Sequence, residues 1–344
     1  MDMLKILSEL PGAPGREEKV RDYISSKVED LVDEMKVDAM GNLICRKKPI
    51  PGEEGAKRVM LACHMDEIGF IVRRVDDDGY VRIHNLGGFD NRNLFARRVR
   101  IQTRTGDEII GNLNPGGRPV HIATPEDAKK IPKIHEFFVD TGLSADEVKE
   151  RIRPGDPVTL IQDFIEMGDL LSGKSLDNRV ACWVGIRLLE EMQKQESDYD
   201  LFVVFTVQEE IGLRGAITSA YEVQPHVSIA IDVTLAVDTP GVGPEEQITE
   251  LGKGVAIKIM DSYMVSSKDL VDDFIALAER EEIKHQFEVL PMGGTDAGAL
   301  QRARSGSKAI TLSVPTRYIH TVTETIHKAD LYSTVDLLVA YLKR

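Results

Sequence analysis

Compact apolar runs recur along both ends of the chain, while the stretch between them alternates apolar and polar residues. Val59 to Cys63, Leu201 to Val207, Val227 to Ile231, Val255 to Met260, Gln286 to Leu290 and Ala309 to Val314 have the length of short strands. The most β-branched of them suit strands covered on both faces. Between them lie segments of helical period. One starts near Asp177 and runs through Val180, Val184 and Leu188, and others cover about 212–220, Lys268 to Glu282, the turn from Asp296, and the C-terminus from Lys328. Near the start, Val20, Ile24, Val28 and Leu31 share one face after the breaker PGAPG at 11–15, so residues 1–35 read as helical. Gly41 to Arg46 reads as a short strand and 49–55 as a polar loop.

Strands alternating with helices predict an α/β fold, a mixed central sheet with helices on both faces. Residues 69–160 break that rhythm. Gly69 to Arg74 and Gly79 to His84 form one hairpin pattern, and Arg98 to Thr103 and Glu108 to Leu113 another around Thr105-Gly106. Only the SADEVKER segment from Ser144 is helical there, and RPGDP at 153–157 ends it. The expected organisation is a discontinuous α/β domain, 1–68 with 161–344, carrying a small β-rich domain inserted over 69–160.

Composition narrows the partners more than the chemistry. Hydrophobic residues at 42% and charged residues at 29% are ordinary for a chain that builds a sizeable core. A net charge of -14 argues against nucleic acid or an anionic membrane as partner. Cys45, Cys63 and Cys182 lack a CxxC spacing, as in a reduced, intracellular protein. The start shows no basic region followed by a long apolar core, and no stretch is long enough to span a bilayer, so a cytoplasmic location is expected.

Polar residues cluster where the apolar runs stop. Val59 to Cys63 leads into His64 and Asp66, Leu201 to Val207 into Glu209 and Glu210, Val227 to Ile231 into Asp232, and Ala309 to Val314, after PTRYI, into His320. Asp177 sits at a helix start in SLDNR. In open α/β sheets ligands bind at the carboxyl ends of the strands. Two His, two Asp and one Glu suit zinc, cobalt or manganese. Five ligands exceed the three that one catalytic zinc takes, which points to two ions sharing a carboxylate, roughly 3.5–4 Å apart, the arrangement of metal-assisted hydrolysis. Of two adjacent glutamates at a strand end, one can hold metal while the other moves a proton. Each residue also has a plain structural reading: Asp177 as a helix N-cap, Asp232 as a strand-end turn residue, the histidines as satisfied side chains, and Glu209 and Glu210 as solvated acids at a helix start.

CHMDEIGF at 63–70, SLDNRVAC at 175–182, FTVQEEIGLRGA at 205–216, IDVT at 231–234, DTPG at 238–241, GGTDAG at 293–298 and VPTRYIH at 314–320 resemble the M42 family of metallo-aminopeptidases, which includes glutamyl and tetrahedral aminopeptidases. The resemblance runs over nearly the whole chain, in order. It implies a zinc-peptidase-like fold and two divalent ions per subunit, zinc or cobalt. Asp177 would bridge them, His64 and Asp232 would complete one position, and Glu210 and His320 the other. Glu209 would be the general base, taking a proton from metal-bound water and passing it to the leaving amine. Asp66 would orient the ring of His64 by a hydrogen bond. The inserted segment would serve dimerisation, and the family implies a homo-oligomer, in many members a tetrahedral dodecamer, acting on peptides with a free N-terminus. Leu235, the GKGV at 252–255 and Thr321 depart from the family pattern without touching a proposed ligand.

Three other functions compete: a metal-dependent deacylase, a glycoside hydrolase of cellulase type, and a metal-binding scaffold. Adjacent glutamates with His and Asp at other strand ends suit metal better than a pair of carboxylates flanking a sugar at roughly 5–9.5 Å.

Overall fold

The computed structural model describes residues 1–50, 52 and 54–343; the expected loop at 49–55 lies partly outside them. Strands β1 (Glu34–Val37), β2 (Leu43–Lys47) and β3 (Arg58–His64) open the chain's main sheet. β4 (Gly69–Val75), β5 (Val81–Leu86), β6 (Arg97–Gln102), β7 (Glu108–Pro115), β8 (Phe137–Asp140) and β9 (Pro157–Leu160) then close into a separate barrel in the order β4-β5-β8-β7-β6-β9. The sheet resumes with β10 (Ile165–Met167), β11 (Leu170–Gly173), β12 (Asp200–Thr206), β13 (Val227–Leu235), β14 (Val255–Met260), β15 (His285–Val289), β16 (Lys308–Arg317) and β17 (Glu324–His327). Its order is β1-β2-β12-β3-β13-β16-β17-β11-β10, with β14 and β15 branching from β16.

The four central strands β12, β3, β13 and β16 run parallel, so their carboxyl ends share one edge. Both faces are covered, which explains their near-continuous burial. Val59, Leu61 and Cys63 of β3 join the core beneath the helices Glu18–Val28, Leu176–Met192, Lys268–Arg280 and Lys328–Leu342. Met60 and Ala62 alternate onto the other face, against the helices Arg214–Val223 and Ala297–Gln301. The barrel has its own core around Phe70, Val99, Leu113 and Phe137. Both predicted hairpins form within it, and Ser144 caps the helix Ala145–Arg151 through a reciprocal bond with Glu147. Among the described residues no helix is long and apolar enough to cross a membrane.

Three local expectations change. The N-terminal helical region is two helices, Asp2–Glu9 and Glu18–Val28, and Glu34–Val37 is a strand. That strand pairs with β2 across a turn in which Asp38 Oδ1 accepts the amides of Met40, Gly41 and Asn42, with Gly41 at φ 102°. β13 continues past Asp232 to Leu235, because it stays paired with β16 as far as Leu235↔Thr316. Its pairing with β3 ends at Ala230, close to where β3 itself stops and the chain leaves for the barrel. Asp232 therefore lies inside a strand, on a flank that has just lost its neighbour. The short strands β10, β11 and β17 complete the sheet where no strand was expected.

A buried guanidinium ties this edge to the N-terminus. Arg179, fully buried, donates to the carbonyls of Leu7, Leu10 and Met65 and reaches Glu67. Glu67 also accepts from Lys174, Ser175 and the amide of Gly12. The segment just after His64 is thereby fastened to the PGAPG turn and to the helix that bears Asp177. Replacing Arg179 by Leu leaves Glu67 short of a partner and is expected to cost about 3–5 kcal/mol. Urea unfolding should show it as a lower midpoint, and a midpoint equal to wild type would refute the tie.

Candidate active site

The cluster forms where the central strands end. His64 is the last residue of β3, level with Thr206 of β12. Glu209 and Glu210 follow β12 in a tight turn before the helix at Arg214, with Gln208 at φ 56° and the Glu209 carbonyl accepting from Gly212 and Leu213. They do not open that helix. Asp177 lies near the start of its helix at non-helical φ/ψ and makes no capping bond there. His320 sits at φ 63° in the loop between β16 and β17.

These residues meet, and Asp177 is their centre. Its Oδ1 lies 3.2 Å from Nε2 of His64 and its Oδ2 3.3 Å from Nε2 of His320. His64 Nε2 is also 3.8 Å from Asp232 Oδ1 and 4.0 Å from Glu209 Oε2, while His320 Nε2 is 3.5 Å from Glu210 Oε1. Three triads, His64/Asp177/Asp232, Asp177/Glu210/His320 and His64/Glu209/Glu210, each bring their donor atoms within 4.8 Å of one another.

Electrostatics decide what such a cluster can hold. Burial pushes Glu209 and Asp232 well above the usual carboxylate range, with neighbouring acids adding to it, and burial with Asp177 raises Glu210. Burial also opposes charge on the histidines, yet the surrounding carboxylates win. His64 rises well above its ordinary value through Glu209, Asp177 and Asp66, and His320 is pushed up to about 12 by Asp177 and Glu210. For Asp177 burial is outweighed by its bonds to the two histidines, which hold it below the ordinary range. Apart from Asp177, these acids are thus disfavoured as carboxylates by burial and by one another, and positive charge brought among them would be stabilising. Glu210 Oε1 is buried without a hydrogen bond. Carboxylates and imidazoles converging in this way fit divalent metal.

The surroundings set the orientation. His64 Nδ1 lies 3.1 Å from the carbonyl of Asp66, which accepts, leaving Nε2 to face the acids. The Asp66 carboxylate is 3.5 Å from that ring nitrogen, and its two oxygens accept the amides of Glu209 at 3.0 Å and Glu210 at 3.1 Å. The side chain expected to steer the ring thus holds the turn carrying both glutamates. Two buried acids do comparable work without having been singled out in the sequence. Glu324 accepts the amides of Asp177 and His320, and Glu17 accepts those of Gly15 and Gln208. Glu324 lies in the polar run TVTETIH and Glu17 beside a helix start, so neither carries an apolar-run signal. Asp296 accepts from Thr206, and Asp238 forms a two-point ion pair with Arg317.

The cluster floors an open cleft of about 470 Å³. Its far wall includes Leu235, Tyr263, Leu290, Met292 and Ile319, together with the buried Lys258. The Lys258 ammonium lies 2.8 Å from Glu288 and 3.4 Å from Asp261, and Thr234 donates to the same Glu288 oxygen.

A mixed sheet with a His–carboxylate cluster at its parallel edge and a barrel beside it is an architecture suited to a hydrolase. The family model described as M42 glutamyl aminopeptidase matches residues 41–337, and the chain belongs to that family. It is an enzyme that hydrolyses peptide bonds. A putative aminopeptidase of Acetivibrio thermocellus is 34% identical over 98% of this chain and 97% of its own. The lysyl aminopeptidase of Pyrococcus furiosus is 32% identical over 99% of this chain and 96% of its own. The solved TET1 peptidase of Pyrococcus horikoshii, described as assembling into a tetrahedron or a large octahedral shell, superposes with a TM-score of 0.89 at 32% identity. That match covers 99% of this chain and 98% of the other.

The protonation pattern has a measurable consequence. Groups raised on folding hold protons that the unfolded chain releases earlier, so their contribution is full at low pH and is lost as pH rises through the folded value. For Asp296 that window runs from 3.8 to about 6 and for Glu17 from 4.5 to about 8; the raised histidines act in the same direction. In the presence of a chelator the melting temperature should therefore fall between pH 5 and 8, and saturating zinc should flatten the decline. Equal slopes with and without zinc would contradict it.

Proposed function

We propose that the chain is a dinuclear metal-dependent aminopeptidase, with zinc or cobalt as the ions and peptides with a free N-terminus as substrates. The observation that carries this reading is Asp177, which offers one oxygen beside each histidine. His64 and Asp232 would complete one ion position, and Glu210 and His320 the other. Bound there, the ions supply Lewis-acid polarisation and a more acidic water.

The chain's own groups do the rest. Glu209 borders the cleft, and its burial raises its affinity for a proton. It takes the proton of the attacking water and gives it to the leaving amine. Asp66 fixes both glutamates through their amides, so that the base and the ligand keep different directions. The barrel, residues 69–160, is read as an inserted domain that meets a second copy of the chain. Support comes from Val120, Ile122 and Ile131, exposed at 82%, 69% and 57%, and from the assembly described for the Pyrococcus horikoshii peptidase. A tetrahedral dodecamer is the assembly proposed. Three free, buried cysteines suit the cytoplasm as its location.

Glu209→Gln should retain both ions by metal analysis yet lose about 10²–10⁴-fold in kcat on amino-acid p-nitroanilides. Full turnover in that variant would end the assignment of the base. Chelation should abolish wild-type activity and zinc or cobalt should restore it, with N-acetylated p-nitroanilides left uncut. Preference for the acetylated compounds would make the enzyme a deacylase instead.

A further inference from the structure

The two histidines at the cluster are held by different means. His64 ends a central strand, and its Nδ1 faces the Asp66 carbonyl at 3.1 Å. His320 hangs in the loop between β16 and β17, its side chain 36% exposed, with Tyr318 and His320 itself both in the left-handed region. Among the described residues no hydrogen bond reaches its Nδ1. What anchors the His320 main chain is Glu324, the first residue of β17, which is 2% exposed. One oxygen of Glu324 accepts the amide of His320 at 2.8 Å, and the other accepts the amide of Asp177 at 2.9 Å. Glu324 itself is fixed by the register of β17 against β11, Gly173↔Glu324.

Asp177 depends on this contact less than His320 does. The adjacent Asn178 donates to the carbonyl of Ile231, and its side-chain oxygen accepts the amide of Ala181, so the helix start is held from the other side as well. Arg179 adds its bonds to Leu7, Leu10 and Met65. Among the described residues the His320 main chain makes no second hydrogen bond to the cluster; the rest of its loop is held by packing, with Val322 buried in the barrel core. Of its other hydrogen bonds, Thr321 to Tyr318 and Thr323 to Thr321 stay within the loop, and Thr325 of β17 donates to the carbonyl of Thr323.

We propose that Glu324 is a positioning residue that sets the relative affinity of the two ion positions, by fixing His320 against Asp177. It touches neither ion nor substrate. Its removal loosens the position built from Glu210 and His320 while leaving that of His64 and Asp232 close to its original strength. The two ions thus differ in how readily they are lost, and the difference originates in backbone anchoring and not in ligand type. This rests on the two-ion reading above.

The test titrates chelator-stripped full-length protein with zinc against a chromophoric chelator, for wild type, Glu324→Gln and Glu324→Asp. Gln keeps the shape but replaces one acceptor oxygen with a donor, and Asp keeps the charge but retracts it by one methylene. Both should weaken the looser zinc constant by about 10–100-fold, the usual cost of losing an outer partner of a metal ligand. The tighter constant should stay within about threefold, so that the ratio of the two moves. A purely structural role would lower the melting temperature of the stripped protein and leave the ratio alone. Equal shifts of both constants, or none, in a protein whose wild type binds two ions overturn this proposal alone. A wild type that binds one ion overturns the two-ion reading and this proposal with it. Failure of both variants to fold would assign Glu324 to stability and also overturn the proposal.

Discussion

Unbalanced negative charge at one sheet edge is the constraint on which the arrangement depends. Asp177, Glu209, Glu210 and Asp232 converge with only two imidazoles among them, largely buried at the floor of the cleft. Ionising all four together is unfavourable, and the raised carboxylates and histidines show the chain meeting that cost with protons. A divalent cation meets it better. Main-chain amides ease the same cost for acids around the cluster without removing it, since burial still raises Glu17 and Glu324. Asp66, Glu17 and Glu324 each spend their oxygens on main-chain amides, whose partial positive charge offsets them.

Geometry at this edge follows from where pairing stops. β3 ends at His64, and the chain departs for the barrel within five residues, while β13 continues along β16. The sheet therefore splits on the far side of Ala230. Asp232 occupies the freed flank, Glu209 and Glu210 the turn on the opposite side, and Asp177 reaches in from the helix beneath. Departure of the barrel chain and opening of the cleft are one event in the backbone. The Arg179–Glu67 contact keeps the exit segment from drifting.

Much of this was legible in the sequence because strand ends in a parallel sheet are marked by abrupt loss of apolar character. The edge that gathers His64, Glu209, Glu210 and His320 could be read from three such boundaries, and the barrel from two hairpin patterns. Asp232 was placed one step off, since a polar residue inside a strand looks like its end when one flank is uncovered. β10, β11 and β17 escaped because they run only three to four residues, the outermost being largely exposed. Glu324 escaped for a related reason. Its partners are backbone amides distant in sequence, and no side-chain pattern announces an amide.

The far wall of the cleft bears on selectivity. Lys258 lines the cleft, but Glu288 and Asp261 already hold it, and Thr234 is hydrogen-bonded into the same group. An acidic guest at this wall would compete with Glu288 for that ammonium, whereas an aliphatic one would meet Leu235, Leu290 and Ile319 without disturbing the pair. The wall has polarity but no spare positive charge. Loss of the Glu288 carboxylate would leave Asp261 as the acid beside that charge, without altering any group proposed to hold an ion or move a proton. Appetite for a side chain and competence in cutting its bond are thereby separable traits, and the first can drift while the second is conserved.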